Sequence, residues 1–392
     1  MKEGWEYKRI KDIGSVIAGT TPNTNVAEFW DGTLCWISPA ELDGGHYLYD
    51  SRKKITEAAV KAKSLKLLPE GTVILSSRAP IGKVVINKVP TYCNQGFKCV
   101  VCSKEIYNEF LYWWFWGKTE YLNSLGTGAT FKEISKKVVE EITIPVPPLS
   151  EQQSIVDYLD SAFAKIDTMK ANAEKAQSEA KALFQSSLKE MLEPKDEWEE
   201  KKLGEICSQI TDGTHHSPPN GESGNYKYIT AKNIRIWGLD LSNVTYVSED
   251  IHKEITARCN PQKGDVLYIK DGATTGIAIV NPLEEEFSML SSVALIKPYK
   301  DVLSSEFLCY TLNSPSIYNQ TRSQMDGAAI TRVTLVKIKG FVISIPPLSE
   351  QQSIVETLDS LKSKVDQLQA NYEKISKECD ALKQAILRQV FE

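Results

Sequence analysis

The sequence predicts an α+β protein built as a pseudo-two-fold internal repeat. Two globular mixed α/β domains are joined by two long helices that form an antiparallel coiled coil. Three observations carry this expectation. The ten residues PPLSEQQSIV occupy Pro147–Val156 and return at Pro346–Val355, 199 positions later. A heptad-patterned stretch follows each copy, over residues 150–193 and 349–392. Residues 1–149 and 194–348 are of nearly equal length and echo each other, so each tail follows a globular part.

The repeat extends well beyond its identical core. At the same offset GATFKEIS from Gly128 answers GAAITRVT from Gly327, and Glu193 answers the final Glu392. Identical pairs include Leu159/Leu358, Asp160/Asp359, Asn172/Asn371 and Leu188/Leu387. Towards the N-terminus the offset drifts, yet WEYKRIKDI from Trp5 still matches WEEKKLGEI from Trp198, and WISPAEL from Trp36 matches YITAKNI from Tyr228. Two units of similar length therefore abut near Pro194.

Each tail reads as a helix. Paired prolines end the extended runs ITIPV and VISI. Ser150 and Ser349 then stand as N-caps, with Gln153 and Gln352 completing capping boxes. In the second tail apolar residues fall at Leu358, Leu361, Val365, Leu368, Tyr372, Ile375, Cys379, Leu382 and Ile386, in steps of three and four. The equivalent seam of the first tail is smaller: Leu159, Ala162, Ile166, Met169, Ala173, Ala176, Ala180, Leu183 and Ser187. A small seam facing a large one lets the two helices approach and fill the volume between them. Pairing between two copies of the second helix is the other arrangement the seam allows. Chain connection selects the orientation. A parallel pair would force residues 194–348 to bridge a whole helix length, whereas an antiparallel pair needs only a domain whose entry and exit lie close together.

Composition bounds the function. A hydrophobic content of 42% with 25% charged residues is ordinary for a globular protein. The opening MKEGWEYKRIK has no signal-peptide core, and FLYWWFW at Phe110–Trp116 is too short to span a bilayer. Eight irregularly spaced cysteines point to reduced thiols in a cytoplasm. Net charge is −5, and residues 1–149 carry only 19 Lys/Arg against 16 Asp/Glu, so a nucleic-acid role needs local basic faces or a basic partner. Catalytic signatures are missing: no GxxxxGK[ST], no GxGxxG after a strand, no HExxH, and no Asn/Asp-Pro-Pro-aromatic motif for gripping a flipped base. Cys99 and Cys102 lie in the apolar run FKCVVCS and read as core thiols rather than as half a zinc site. The aromatic run from Phe110 reads as a core helix rather than a base-stacking platform.

The chain resembles the specificity subunits of Type I restriction–modification systems over nearly its whole length. The resemblance is carried in the first unit by EFWDGTLCWISPAEL (Glu28–Leu42), GTVILSSRAPIGK (Gly71–Lys83) and NQGF (Asn94–Phe97). In the second it is carried by ITDGTHHSPP (Ile210–Pro219), YITAKNI and GDVLYIKDGATTG (Gly264–Gly276), and in both by the repeated segment before the helix. It implies a non-catalytic subunit with target-recognition domains at 1–149 and 194–348, each reading half of a bipartite, asymmetric double-stranded DNA site. It further implies spacer helices at 150–193 and 349–392 that dock two adenine methyltransferase subunits, with restriction subunits joining for cleavage. S-adenosylmethionine, ATP and magnesium would then sit on those partners, and this chain would bind no cofactor or metal of its own.

Base reading favours Arg or Lys at guanine and Asn or Gln at adenine, while Lys, Ser, Thr and backbone amides hold phosphates. The nominated DNA-binding residues are Thr20, Thr21, Arg78, Lys83, Gln95, Lys98 and Lys132 in the first domain. In the second they are Thr214, His215, His216, Lys227, Lys232, Asn233, Lys270 and Arg332. Capping accounts for Ser150 and Gln153 but not for Glu151, Gln152, Glu350 and Gln351, which are assigned to a partner interface or a helix brace. Two rival functions are a coiled-coil scaffold carrying two protein-binding modules, and a nuclease with unrecognised acidic metal ligands.

Overall fold

Short apolar runs bounded by Gly, Pro and Asn form the strands at the centre of each unit. The computed structural model of the chain describes residues 4–42, 44–78, 80–128, 132–323 and 332–392, so parts of the repeated segments at Gly128 and Gly327 lie outside the described residues. The chain divides into two units, Met1–Ala173 with Lys374–Glu392, and Glu174–Glu373. Each unit thus contains a stretch of both long helices.

In the first unit a five-stranded sheet runs in the order Gly14–Ala18, Phe97–Cys102, Val73–Ser76, Val84–Asn87 and Tyr47–Leu48. The VILS and VVIN strands are buried along their whole length, as their lack of polar alternation requires. A second sheet holds Lys53–Ile55, Trp30–Ile37 and Thr91–Cys93, and a two-stranded ribbon pairs Glu6–Arg9 with Thr143–Val146. The aromatic run forms the helix Asn108–Gly117, which is buried from Glu109 to Phe115 in the core. Cys99 and Cys102 are three residues apart on one strand and so face opposite sides of it. Burial lifts the Cys99 thiol well above its ordinary value, and lifts Cys102 to about 12.

The second unit repeats this plan. Its four-stranded sheet has the order Cys207–Asp212, Val293–Pro298, Val266–Ile269 and Ala278–Val280. Its three-stranded sheet holds Thr245–Val247, Tyr226–Ile229 and Phe287–Met289, and its ribbon pairs Glu199–Lys202 with Val342–Ile345.

The long helices span Leu149–Met191 and Leu348–Phe391. Both begin one residue before the serine, which corrects the capping-box expectation. The second proline of each motif takes the edge position, and Pro148 O accepts from Glu151 N at 2.9 Å and Gln152 N at 3.0 Å. Gln153 instead donates to Asp157 at 2.8 Å.

The helices run antiparallel. In the first unit Lys170 pairs with Asp380 at 3.0 Å and Asp167 pairs with Lys383, so one helix ascends as the other descends. In the second unit Phe184 and Leu188, from the end of the first helix, share a core with Ile354 and Leu358 from the start of the second. The seam register is partly corrected. Leu159, Ile166 and Ala173 are buried, and Ala162, Ala176, Leu361, Val365, Tyr372 and Ile375 half-buried, beside a buried Leu358. Met169 is 56% exposed and Leu368 38% exposed, and Leu183 and Leu382 are exposed as well. Phe163, Lys170, Phe184 and Lys383 line the packed face in their place. Long lysine stems lie along the seam while their ammonium groups reach carboxylates on the facing helix. Among the described residues no helix is long and apolar enough to cross a membrane.

Candidate nucleic-acid interface

What the repeated PPLSEQQ does is visible in its buried glutamines. Gln152 Oε1 accepts from Tyr107 N at 2.7 Å, while its Nε2 donates to Glu105 O at 3.0 Å and Pro147 O at 2.8 Å. Gln351 does the same with Ser304 N at 2.9 Å, Val302 O at 2.8 Å and Pro346 O at 2.9 Å. Both are fully buried. Each therefore brackets the head of a long helix to its own globular domain. A second repeated bond lies about two turns on, where Trp113 Nε1 donates to Asp160 at 2.9 Å and Tyr310 OH donates to Asp359 at 2.5 Å. Burial, and then the Asp359 bond, push the Tyr310 hydroxyl far above its ordinary value. Glu151 accepts from the Trp5 indole at 2.8 Å and Glu350 from Lys195 at 2.6 Å, so both carboxylates reach the segment that opens their own domain.

Most of the nominated DNA-binding residues gather at one end of each central sheet. Register places Ala18, Lys98, Leu75 and Val84 in line, so the loops leaving or entering those strands share an edge. In the second unit Asp212, Ala294, Tyr268 and Ala278 form the matching edge. A Gly-Thr corner opens each edge. Thr20 N donates to Cys93 O and Thr214 N donates to Met289 O, both at 2.9 Å. The preceding glycines lie so close to the neighbouring strand that a Cβ on Gly19 would sit 2.0 Å from Asn94 O. On Gly213 it would sit 1.8 Å from Met289 O, so only glycine fits at either corner.

At the first edge Thr21 bonds Gln95, and Lys98 Nζ donates to Ser77 Oγ at 2.9 Å and to Glu133 at 3.1 Å. Arg78 Nε donates to the other Glu133 oxygen at 2.9 Å. Exposed Lys132 is the neighbour of Glu133, and exposed Lys83 reaches Leu42 O at 2.9 Å from the start of the next strand. Burial opposes the Glu133 charge, but the bonds from Lys98 and Arg78 prevail and hold its carboxyl below the ordinary range.

At the second edge His215 lies 3.2 Å from Asp212, and His216 Nδ1 lies 3.0 Å from Thr214 Oγ1. Lys270 Nζ meets Asp271 at 3.0 Å and Asp212 at 3.4 Å, and Arg332 faces Asp271 at 3.9 Å. Exposed Lys232 adjoins this edge, since the turn it occupies is tied by Ala231 N to Ser292 Oγ at 3.2 Å.

Four nominees stand differently from expectation. Lys98 is 4% exposed and Lys270 2%, so their ammonium groups brace loops from inside. Asn233 is also buried, its amide committed to Thr230 N and Asp240 O. Lys227 lies on the three-stranded sheet, paired with Glu285 at 2.6 Å. Sequence reasoning missed Arg258, whose Nη2 holds the second corner through Asp212 Oδ1 at 2.5 Å and Gly213 O at 2.9 Å. It also missed Glu133, although Glu133 aligns with the nominated Arg332 at the repeat offset.

The family model for the Type I restriction modification DNA specificity domain matches twice, at residues 2–177 and 195–377. The chain is 30% identical over 379 residues to the Type I restriction enzyme MjaIX specificity subunit of Methanocaldococcus jannaschii, covering 90% of this chain and 86% of that one. It is 26% identical to the EcoKI specificity subunit of Escherichia coli K12, covering 100% and 89%. Among solved structures, a chain from a study of complex assembly and conformational transition in the type I R-M system superposes with a TM-score of 0.80. It is 21% identical, with 100% of this chain and 98% of that one covered. The HsdS subunit from Thermoanaerobacter tengcongensis gives 0.67 at 21% identity, covering 100% and 97%.

Proposed function

The chain belongs to the Type I restriction–modification DNA specificity family, and on that footing we propose that its two units read the two halves of one bipartite, asymmetric DNA site. DNA recognition is its part of the system, and catalysis resides on other subunits. One observation carries the two-half reading: the same sheet edge, with the same Gly-Thr corner, is built twice and lined by different side chains. Equal frames with unequal linings suit two half-sites of unequal sequence. Thr20, Thr21, Arg78, Lys83, Gln95 and Lys132 serve the first half-site. Thr214, His215, His216, Lys232 and Arg332 serve the second.

In this proposal the paired helices set the gap between half-sites and dock two adenine methyltransferase subunits, and restriction subunits join the same assembly. Those partners carry S-adenosylmethionine, ATP and magnesium. A chain with net charge −5 then needs basic partners to close around DNA.

Co-expression with an adenine methyltransferase of such a system, followed by mapping of methylated adenines, tests the proposal. The expected result is a two-part motif with an unspecified middle. Deleting one heptad from both helices should shorten that middle by about three base pairs, given ~1.5 Å per helical residue and ~3.4 Å per base pair. A contiguous motif, or binding that is indifferent to sequence, would refute the reading and favour a scaffold.

A further inference from the structure

Both sheet edges carry a guanidinium, a carboxylate and a buried ammonium, yet none of the three occupies the same position in the two units. The backbone frame fixes the correspondence. Ile134 N donates to Ser77 O at 2.9 Å, and Val333 N donates to Lys270 O at 2.8 Å. Next to these bonds, β-bridges join Arg78 to Glu133 and Asp271 to Arg332. Arg78 therefore corresponds to Asp271, and Glu133 to Arg332, so the ion pair is inverted across an otherwise equal bridge. The ammonium has moved too, from Lys98 on the adjoining strand to Lys270 at the head of the loop. Simple duplication would have kept each residue in place. Rebuilding one charge arrangement from three exchanged positions points to a task that the arrangement performs.

Its physics indicates that task. Each carboxylate lies between a buried ammonium and a half-exposed guanidinium: Glu133 between Lys98 and Arg78, Asp271 between Lys270 and Arg332. The lysine offsets the carboxylate charge, so the arginine keeps its own. The carboxylate engages Arg78 through Nε at 2.9 Å, which steadies the planar guanidinium from its side and does not use its Nη1–Nη2 edge. In the second unit Asp271 Oδ1 is buried without a hydrogen bond among the described residues, with Arg332 Nε at 3.9 Å. That oxygen is an acceptor in position for the same Nε bond. A phosphate contact asks for charge, whereas a fixed guanidinium plane matches the O6 and N7 acceptors of guanine in the major groove.

We propose that Arg78 and Arg332 each read one guanine of their half-site, with Glu133 and Asp271 as positioning residues. This rests on the two-half-site reading above. In complexes with the methyltransferase, Arg78→Gln should lose discrimination at one guanine of the first half by about 5- to 100-fold and leave the second half unaltered. Arg332→Gln should do the converse. Glu133→Gln should relax the same guanine as Arg78→Gln, and Arg78→Lys should not restore it, because an ammonium lacks the planar fork. Replacing that guanine with 7-deazaguanine should weaken the wild-type complex while leaving the Arg78→Gln complex unmoved. This arm also decides the matter if a variant fails to fold, since wild-type binding that tolerates 7-deazaguanine at every guanine overturns the inference. So does a variant that weakens all sites uniformly and lowers the salt slope, which is a phosphate contact. A wild-type motif without two parts sinks the functional proposal itself. A two-part motif whose guanines stay specified in both variants sinks only this one.

Discussion

Replacing Gln152 with alanine should detach the first domain from the head of its helix. Gln152 makes three hydrogen bonds from a fully buried position, one accepted from Tyr107 N and two donated to Glu105 O and Pro147 O. At about 1 kcal/mol net per bond, with a further penalty for the buried Pro147 carbonyl and the space left behind, Gln152→Ala should cost about 3–4 kcal/mol. That is a large fraction of the 5–15 kcal/mol typical of a folded domain. Gln152→Glu sharpens the test. A carboxylate still accepts from Tyr107 but loses both donors and faces two carbonyl oxygens, so it should be at least as damaging at neutral pH. Urea unfolding gives the magnitude, and amide exchange gives the location. Tyr107 N–H should lose protection in Gln152→Ala, while Ser304 N–H, bracketed by Gln351, should keep it in both variants. A loss below about 0.5 kcal/mol with Tyr107 exchange unchanged would show that the bracket is incidental.

Three further outcomes follow from the geometry. Phe163 is 4% exposed and lies 4.7 Å from the Trp113 ring, whereas Met169 is 56% exposed. Phe163→Ala should therefore cost about 3–5 kcal/mol and Met169→Ala under about 0.5 in denaturant titrations, and the reverse order would restore the expected heptad register. Gly213→Ala drives a methyl into Met289 O, so it should displace the Thr214–His216 corner and lower the unfolding midpoint. An unmoved midpoint with unchanged DNA affinity would count against the corner. Glu133 titrates below its ordinary 4.5 in the folded chain. Its ion pairs should stabilise fully above that pH and be lost as pH falls through the depressed value. Glu133→Gln should flatten this part of the stability curve.

The helices were legible because their signals are local. Paired prolines, a repeated segment and heptad steps act within a few residues, and the structure places helices at Leu149–Met191 and Leu348–Phe391. Their exact register was less legible, for a physical reason. A strict alternation of apolar letters selects Met169 and Leu368, yet lysines 170 and 383 bury their stems on the packed face because Asp380 and Asp167 receive their charges. The value of a lysine at a helix interface depends on a carboxylate more than two hundred residues away, and no window along the chain contains both. The capping boxes misled differently, since the Ser-x-x-Gln spacing is present but the proline before it supplies the acceptor.

The sheet edges show the same division more sharply. Nominating residue types suited to DNA brought most candidates to one edge of each sheet, because the loops between strands carry the glycines and polar residues that such a search selects. It could not separate a lysine that faces solvent from one that supports a loop. Lys98 and Lys132 look equivalent in the sequence, but Lys98 lies on a buried strand and points to a carboxylate thirty-five residues on. The internal repeat offered a remedy, since aligning the two copies pairs Glu133 with Arg332 and Arg78 with Asp271, and an inverted charge pair is a covariation within one chain. Opposite changes at two positions that are distant in each copy imply that they touch. A single duplicated sequence thus contains some of the tertiary information that otherwise needs many related chains, and here it points to the arginines most worth changing first.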